Sequence, residues 1–177
     1  MPIATERLLL RRFSDADAET LAAYRSDQDV ARYQSWDAPF PLDRARAAVQ
    51  GYQEGDPQEP GWFQWAIERT ADRAHLGDLG VHLHHNRRQA DLGFTLAAGF
   101  QGRGYATEAV RGMLDHLFLV RGLHKVSAEC DARNVRSAAL LTRAGFRQEG
   151  HRRAHSWFKG EWTDDLLFGL LADDPRG

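Results

Sequence analysis

Cysteine is nearly absent from this sequence, since Cys130 is the single one among 177 residues. One thiol excludes an internal disulfide and argues against a metal site built on cysteines. Lysine occurs only at Lys125 and Lys159, so the Gly-Lys-Ser/Thr of a Walker phosphate loop does not exist here. No apolar run approaches the ~20 residues of a membrane span, and the three leucines at 8–10 are too few for the apolar region of a signal peptide. We therefore expect a cytoplasmic protein that does not bind membranes.

Charge is almost balanced over the chain but is unevenly distributed. The formal net charge is −2, which does not indicate a nucleic-acid partner. Residues 14–60 hold ten acids and four bases, whereas residues 121–160 hold nine bases and three acids. A basic second half suits an anionic cofactor, and an acidic first half suits a cationic substrate. Solvated surface without a role explains the same counts equally well, because a sequence segment is not a surface patch.

The order of hydrophobic patterns predicts one α+β domain that covers residues 1–177. A strand at 5–12 is followed by a helix that begins at Ser14 or Asp15 and ends near Ser26, and by a second helix at 42–53. Further strands are predicted at 62–69, 76–83, 91–97 and 125–130, and on both sides of a turn at 159–160. Helices are predicted after the turn at 99–104 and at 134–144. This order indicates a mixed, mostly antiparallel sheet of six or seven strands with helices on both faces.

The stretch from Asp91 to Leu119 predicts a strand, a turn with three glycines and an amphipathic helix. A glycine-rich turn that leads into a helix N-terminus makes an anion site, because free N–H groups and the helix dipole meet there. We expect a phosphorylated cofactor to bind at this turn. A dinucleotide fingerprint is disfavoured, because its third glycine is replaced by Thr107 and the preceding strands form a meander.

The segment Gln101-Gly102-Arg103-Gly104-Tyr105-Ala106 fits the pattern Q/R-x-x-G-x-G/A, which is the pyrophosphate-binding motif of the GNAT family of N-acetyltransferases. A second segment, Asn134-Val135-Arg136-Ser137 followed by Ala144-Gly145-Phe146, resembles the N-x-x-S…x-G-F pattern of the RimJ/RimL-type enzymes that acetylate ribosomal-protein N-termini. The opening TERLLLRRFSDAD is also similar to that subgroup. The resemblance covers nearly the whole chain, and it implies the GNAT fold, with a splayed central strand pair, and binding of acetyl-CoA.

The resemblance also implies where acetyl-CoA is held. The pantetheine arm pairs with the free edge of the strand before the glycine turn, and the N–H of Leu96 polarises the acetyl carbonyl. The loop amides hold the pyrophosphate, to which Arg103 adds charge. The full set of expected cofactor contacts is Phe94, Thr95, Leu96, Gln101, Gly102, Arg103, Gly104, Tyr105, Ala106, Thr107, Asn134 and Ser137.

Two residues are the leading candidates for proton transfer. Glu129 lies five residues before Asn134, the spacing of the catalytic glutamate in the ribosomal alanine acetyltransferases, although a surface strand acid explains it equally well. The tyrosine that protonates the leaving thiolate in many relatives is replaced here by Leu141. The resemblance therefore suggests Ser137 as the donor, beside or instead of a helix-capping role.

Other reactive side chains in the second half of the chain are weaker candidates. Asp91 and the pair His82 and His84 are second choices for a base. The two histidines share a strand face, but no third metal ligand is evident, so no metal is expected. Cys130 lies on the apolar face of its strand and is expected to be structural.

The acceptor amine is the least determined part of the reaction. Three aromatics in an irregular stretch, Tyr33, Trp36 and Phe40, are expected to line its pocket, although core packing explains them equally well. The predicted function is acetyl transfer from acetyl-CoA to a primary amine in a ternary complex, with a protein N-terminus favoured as acceptor. A small amine such as an aminoglycoside or a polyamine is the alternative, and so is a non-catalytic CoA-binding sensor. Homodimers are frequent in the subgroup, but no residue here demonstrates one.

Overall fold

The computed structural model describes residues 2–175. Within them, eight strands form one sheet in the order β1-β2-β3-β4-β5-β6-β8-β7. The strands are β1 (Ile3–Ala4), β2 (Leu8–Arg11), β3 (Gly61–Arg69), β4 (His75–Leu83), β5 (Gln89–Leu96), β6 (Lys125–Asp131), β7 (Arg147–Phe158) and β8 (Glu161–Leu171). The helices are α1 (Ala18–Arg25), α2 (Gln28–Ala31), α3 (Leu42–Glu54), α4 (Tyr105–Asp115) and α5 (Val135–Arg143). The predicted α+β fold with a mostly antiparallel sheet is confirmed.

The N-terminal region differs from the prediction in two places. The strand expected at 5–12 is divided by a turn in which the Thr5 N–H donates to the Leu8 carbonyl at 2.9 Å, so that Ile3 lies opposite Leu10. This division adds the eighth strand. A short helix, α2, also occupies the start of the segment between the first two predicted helices. The Asp27 carboxylate caps its first turn.

The centre of the sheet is split. Strands β5 and β6 are the only parallel neighbours among the described strands, and they pair over just three positions, from Gln89 with Lys125 to Asp91 with Ser127. Beyond Asp91 the two strands diverge, whereas each continues to pair with its other neighbour, β4 or β8. The splayed central pair implied by the family resemblance is therefore present.

Two apolar cores lie on opposite faces of the sheet. The larger core holds the buried stripe of α4, which includes Val110, Met113 and Leu114, against the central strands. The smaller core holds α1, α3 and the loop between α2 and α3. Helices cover both faces as predicted, and they fix the two strands on either side of the split.

Helix α4 has 11 residues, and a π-helical turn, His116–Val120, continues it.

None of the helices between residues 2 and 175 has the length and apolar character of a membrane span.

Candidate active site

The split between β5 and β6 opens into a cleft of about 100 Å³. Strand β5 contributes Leu92–Phe94 to its wall, strand β6 contributes Ala128–Asp131, and α5 closes one side with Asn134 and Ser137. Tyr33, from the segment after α2, lies at the cleft too. The structure therefore brings together residues from three separate parts of the sequence that were predicted to serve the same reaction.

The backbone of β5 directs polar groups into this split. The Ala97 N–H donates to the Leu76 carbonyl of β4 at 2.9 Å. Since successive backbone N–H groups of an extended chain point to opposite sides, the Leu96 N–H points toward β6. The same alternation places the N–H and the carbonyl of Phe94 on that side. The pairing with β6 ends at Asp91, so these groups form a free strand edge.

The glycine loop lies at the end of this edge. Gly102 and Gly104 have φ of 74° and 82°, the left-handed region that glycine adopts without strain. Helix α4 begins directly after Gly104, and the first N–H with an intrahelical acceptor is that of Glu108, which donates to Gly104. The preceding N–H groups of the first turn therefore have no acceptor within the helix, and the loop is exposed, an arrangement that suits an anion.

Glu108 anchors the loop to the first two strands. Its carboxylate accepts from the Thr5 hydroxyl at 2.6 Å, from the Arg7 N–H at 2.7 Å and from Arg7 Nε at 2.7 Å. Arg7 also donates to the Arg103 carbonyl at 3.2 Å. Burial disfavours the charged form of Glu108, but the hydrogen bonds from Thr5 and Arg7 outweigh it and lower the pKa of this carboxyl. Sequence reasoning missed this contact; an acid in the first turn of α4 was the available signal.

Tyr105 takes a different position from the rest of the loop. Its side chain is buried in the larger core, where its hydroxyl lies 3.3 Å from Arg69 Nη1 and Arg7 covers its ring. The side chain of Tyr105 thus positions the loop, and only its backbone N–H is available to a ligand.

Asn134 and Ser137 lie at the start of α5. The Asn134 side chain accepts from the Ser137 N–H at 3.2 Å and caps the helix as predicted. Among residues 2–175, the Ser137 hydroxyl makes no hydrogen bond of its own. It is therefore free to donate into the cleft.

Glu129 and Cys130 are neighbours on β6 with different surroundings. The Glu129 side chain is 65% exposed, and its carboxylate lies 3.8 Å from Arg152 Nη1. Burial, together with the nearby carboxylates Asp131, Asp165 and Glu129, raises the pKa of the Cys130 thiol to about 11. Cys130 is therefore a neutral thiol at physiological pH, whereas the Glu129 carboxylate is open to solvent.

Two of the three aromatics expected at the acceptor pocket are buried instead. Trp36 and Phe40 are 8% and 4% exposed and pack in the smaller core, where the Arg25 guanidinium lies 4.3 Å from the Trp36 ring centre. The loop folds back because the Ser26 hydroxyl bonds to the Phe40 backbone and Lys159 Nζ donates to the Trp36 carbonyl. This corrects the expectation for Trp36 and Phe40, while Tyr33 does lie at the cleft.

His82, His84 and Asp91 meet on one face of the sheet. The Asp91 Oδ2 atom lies 3.2 Å from His82 Nδ1 and 2.9 Å from His84 Nε2. The sequence showed the two histidines but not their common partner. That partner follows from the β4–β5 register, which places His82 opposite Asp91.

A second, larger cavity of about 840 Å³ runs along the outside of α4. It begins at the glycine loop with Gly104 and Thr107 and extends between α4 and the N-terminal strands to His116 and Val120. Its wall carries both signs of charge, because three arginines and three acids line it: Arg7, Arg111, Arg143, Glu6, Glu108 and Asp115.

The family model described as Acetyltransferase (GNAT) domain matches residues 7–147. The chain therefore belongs to the GNAT family and is an acetyl-transferring enzyme. It is 28% identical to the uncharacterized N-acetyltransferase YoaA of Bacillus subtilis over 96% of each chain. It is 30% identical to the [Ribosomal protein uS5]-alanine N-acetyltransferase of Escherichia coli, over 97% of this chain and 91% of that protein. The predicted RimJ/RimL-type resemblance is thereby confirmed.

The fold is shared with solved structures of the same family. An acetyltransferase of the GNAT family from Bacillus anthracis superposes with a TM-score of 0.90, with 25% sequence identity, over 98% of this chain and 100% of that one. The shared fold therefore extends over nearly the whole chain.

Proposed function

We propose that this enzyme transfers the acetyl group of acetyl-CoA to the N-terminal amine of a protein. The observation that carries the proposal, as far as the donor is concerned, is the free edge of β5, which leads from the cleft directly to the glycine loop. The edge offers backbone groups to an extended amide-containing arm, and the loop offers N–H groups to a pyrophosphate. A donor with a thioester at one end and phosphates at the other fits both.

Residues along this path have separate tasks. Phe94 and Thr95 belong to the strand that the pantetheine arm follows, and the Leu96 N–H stabilises negative charge on the acetyl oxygen. The loop from Gln101 to Thr107 holds the pyrophosphate, and the exposed Arg103 adds positive charge. Arg111 and Arg143, in the cavity beside the loop, are available to the phosphates at the nucleotide end of the donor.

Glu129 and Ser137 transfer the protons of the acetyl-transfer reaction. An acceptor amine is mostly protonated at neutral pH, so Glu129 removes a proton, directly or through water, before the amine attacks. A nitrogen–carbon bond then forms and the carbon–sulfur bond breaks. The Ser137 hydroxyl passes its proton to the leaving sulfur, which departs as the thiol, and it takes up the second proton of the attacking nitrogen as the amide forms. Both side chains line the cleft in which attack takes place.

Charge balance at the cleft favours a peptide N-terminus over a polycation. Asp131 and Glu161 each lie 2.6 Å from the Arg133 guanidinium, and Glu129 lies near Arg152. These pairs leave little net negative charge to attract a polyamine. The similarity to the uS5-alanine enzyme over 97% of this chain supports the same choice.

A thiol-release assay with a panel of acceptors tests the proposal. The panel contains peptides with a free N-terminal alanine or serine, the same peptides blocked at the N-terminus, spermidine and an aminoglycoside. We expect turnover with the free peptides and none with the blocked ones. Faster turnover of spermidine or the aminoglycoside would make this a small-amine acetyltransferase. Binding of acetyl-CoA without release across the panel would make it a sensor.

A further inference from the structure

The cluster formed by His82, His84 and Asp91 has no task in the transfer reaction proposed above. His82 and His84 lie two residues apart along β4 and the turn after it, and Asp91 lies opposite His82 on β5. None of the three lines the cleft. All three side chains are between 35% and 41% exposed, so an ion from solvent can reach them.

We propose that His82, His84 and Asp91 bind a divalent first-row transition metal of the Zn²⁺ type. Two imidazole nitrogens and one carboxylate oxygen are the donors, and the fourth position is left to water or to an external ligand. Three protein ligands with one open position is an established coordination set for zinc in proteins.

The spacing of the donor atoms fits such an ion. Ligands held tetrahedrally at roughly 2.0–2.1 Å from zinc lie about 3.3 Å from one another. Here the two His–Asp91 donor distances are 3.2 Å and 2.9 Å, and the three donor atoms all lie within 4.8 Å of one another. A small inward rotation of exposed side chains completes the coordination, and the backbone register already fixes their positions.

The donor chemistry selects the class of metal. Imidazole suits zinc, copper, nickel and iron, whereas magnesium and calcium prefer all-oxygen sites. Mg²⁺ is therefore a negative control for the same three residues.

A comparison within the chain separates a metal site from an ordinary hydrogen-bonded pair. His151 Nε2 lies 2.7 Å from Asp164 on the β7–β8 hairpin, with similar exposure but without a second imidazole on that carboxylate. If a histidine–aspartate contact alone were enough, both places would bind zinc equally. The proposal assigns binding to the cluster with two imidazoles.

Trp62 supplies a local optical signal. Its indole stacks on the His82 ring with a centroid distance of 5.2 Å. A paramagnetic ion such as Co²⁺ or Cu²⁺ bound at His82 should quench the fluorescence of this tryptophan. Trp62→Phe should abolish that quenching while leaving binding measured by calorimetry unchanged.

The experiment uses the full chain, without a histidine tag and stripped of metal by a chelator, and titrates it with Zn²⁺ alone in a calorimeter. We expect one equivalent to bind with micromolar or tighter affinity, and Mg²⁺ not to bind. His82→Ala, His84→Ala and Asp91→Asn should each weaken Zn²⁺ binding at least about tenfold. His85→Ala and His151→Ala, which change histidines outside the cluster, should leave it unchanged.

Thermal unfolding provides an independent measurement, since an ion that binds only the folded state raises the midpoint. Zn²⁺ should raise the midpoint of the wild-type chain and of His151→Ala, but not that of His84→Ala. The same scans show whether each variant folds, and His82→Gln and His84→Gln replace any that do not. Absence of saturable Zn²⁺ binding, or equal binding by the cluster variants and the wild type, would overturn the proposal. Neither result bears on acetyl transfer.

Discussion

The side-chain amide of Gln101 donates to the backbone carbonyl of Leu96 at 2.9 Å. A hydrogen bond therefore connects the start of the glycine loop to the last residue of β5. This bond fixes the distance between two sites that, in the proposed reaction, act on one donor molecule. The Leu96 carbonyl points into the split, so without Gln101 it would have only solvent as a partner. The bond therefore couples the position of the loop to the position of the proposed oxyanion donor.

Gln101→Ala should raise the KM for acetyl-CoA by roughly three- to tenfold, which corresponds to the ~0.5–1.5 kcal/mol of an ordinary hydrogen bond. Steady-state kinetics with acetyl-CoA as the varied substrate measures this. Gln148→Ala, which changes an exposed glutamine on β7, is the control and should leave the KM unchanged. An unaltered KM in Gln101→Ala would show that the loop holds its position without this bond.

Gly104→Ala should weaken acetyl-CoA binding because a residue with a Cβ at φ 82° costs roughly 1–2 kcal/mol. The added Cβ would also lie 3.3 Å from Arg7 Nη2, which anchors the loop. Gly99→Ala is the matched control, since that glycine has an ordinary φ and open space around it. Isothermal titration with CoA measures both. Equal losses in the two variants would contradict the role given to the left-handed backbone.

Glu108→Gln should destabilise the fold by about 1–3 kcal/mol, because Arg7 and Thr5 lose a charged acceptor. The folded-state pKa of Glu108 is lowered below its ordinary value of 4.5. Its contribution is therefore complete above pH 4.5 and is lost as pH falls through the folded-state pKa. Urea unfolding at pH 7 should show the full difference between variant and wild type, and unfolding at pH 3 a smaller one. A difference that stays constant with pH would contradict this assignment.

Glu129→Gln should reduce kcat by roughly 10²–10⁴ near neutral pH, because the amide cannot accept the proton of the acceptor amine. Ser137→Ala should lower kcat with little change in the KM for the acceptor, and the hydroxyl of Ser137→Thr should restore part of the rate. Glu149→Gln, another acid at the sheet surface, is the control and should keep the wild-type rate. If both site variants retain full kcat at every pH, a water relay must replace these two side chains.

Trp36→Ala should lower the stability of the fold, whereas Tyr33→Ala should weaken the use of a peptide acceptor. Trp36 packs in the smaller core, so its truncation should cost about 3–5 kcal/mol of unfolding free energy. Tyr33 lies at the cleft, so Tyr33→Ala should change stability by less than about 1 kcal/mol but raise the KM for a peptide acceptor. Denaturant unfolding and acceptor kinetics on both proteins measure this. A stable Trp36→Ala with a raised acceptor KM would return Trp36 to the acceptor pocket.

Local sequence patterns predicted the elements around the site well. The spacing of Gly102 and Gly104, the apolar stripe of α4 and the cap at Asn134 each depend on neighbours within a few residues, so they are visible in the sequence. Strand boundaries in the second half of the chain were correct within two residues for the same reason, because alternation and turn residues mark them.

Contacts between distant residues were not predictable in this way. Thr5 and Arg7 reach Glu108 across about one hundred residues, and no local pattern identifies that pair. Asp91 joins His82 only through the strand register. Trp36 was ambiguous because an aromatic in a loop can face solvent or core, and only the packing of α1 and α3 decides.

The three-residue pairing between β5 and β6 leaves a strand edge in the interior of a sheet. Exposed edges at the border of a sheet invite pairing with strands of other molecules, and proteins normally block them. Here β6 and α5 line the split opposite the edge, and a gap of about 100 Å³ is too narrow for a second polypeptide strand with its side chains. The fold thus keeps unsatisfied backbone groups available to a slender ligand while shielding them from aggregation.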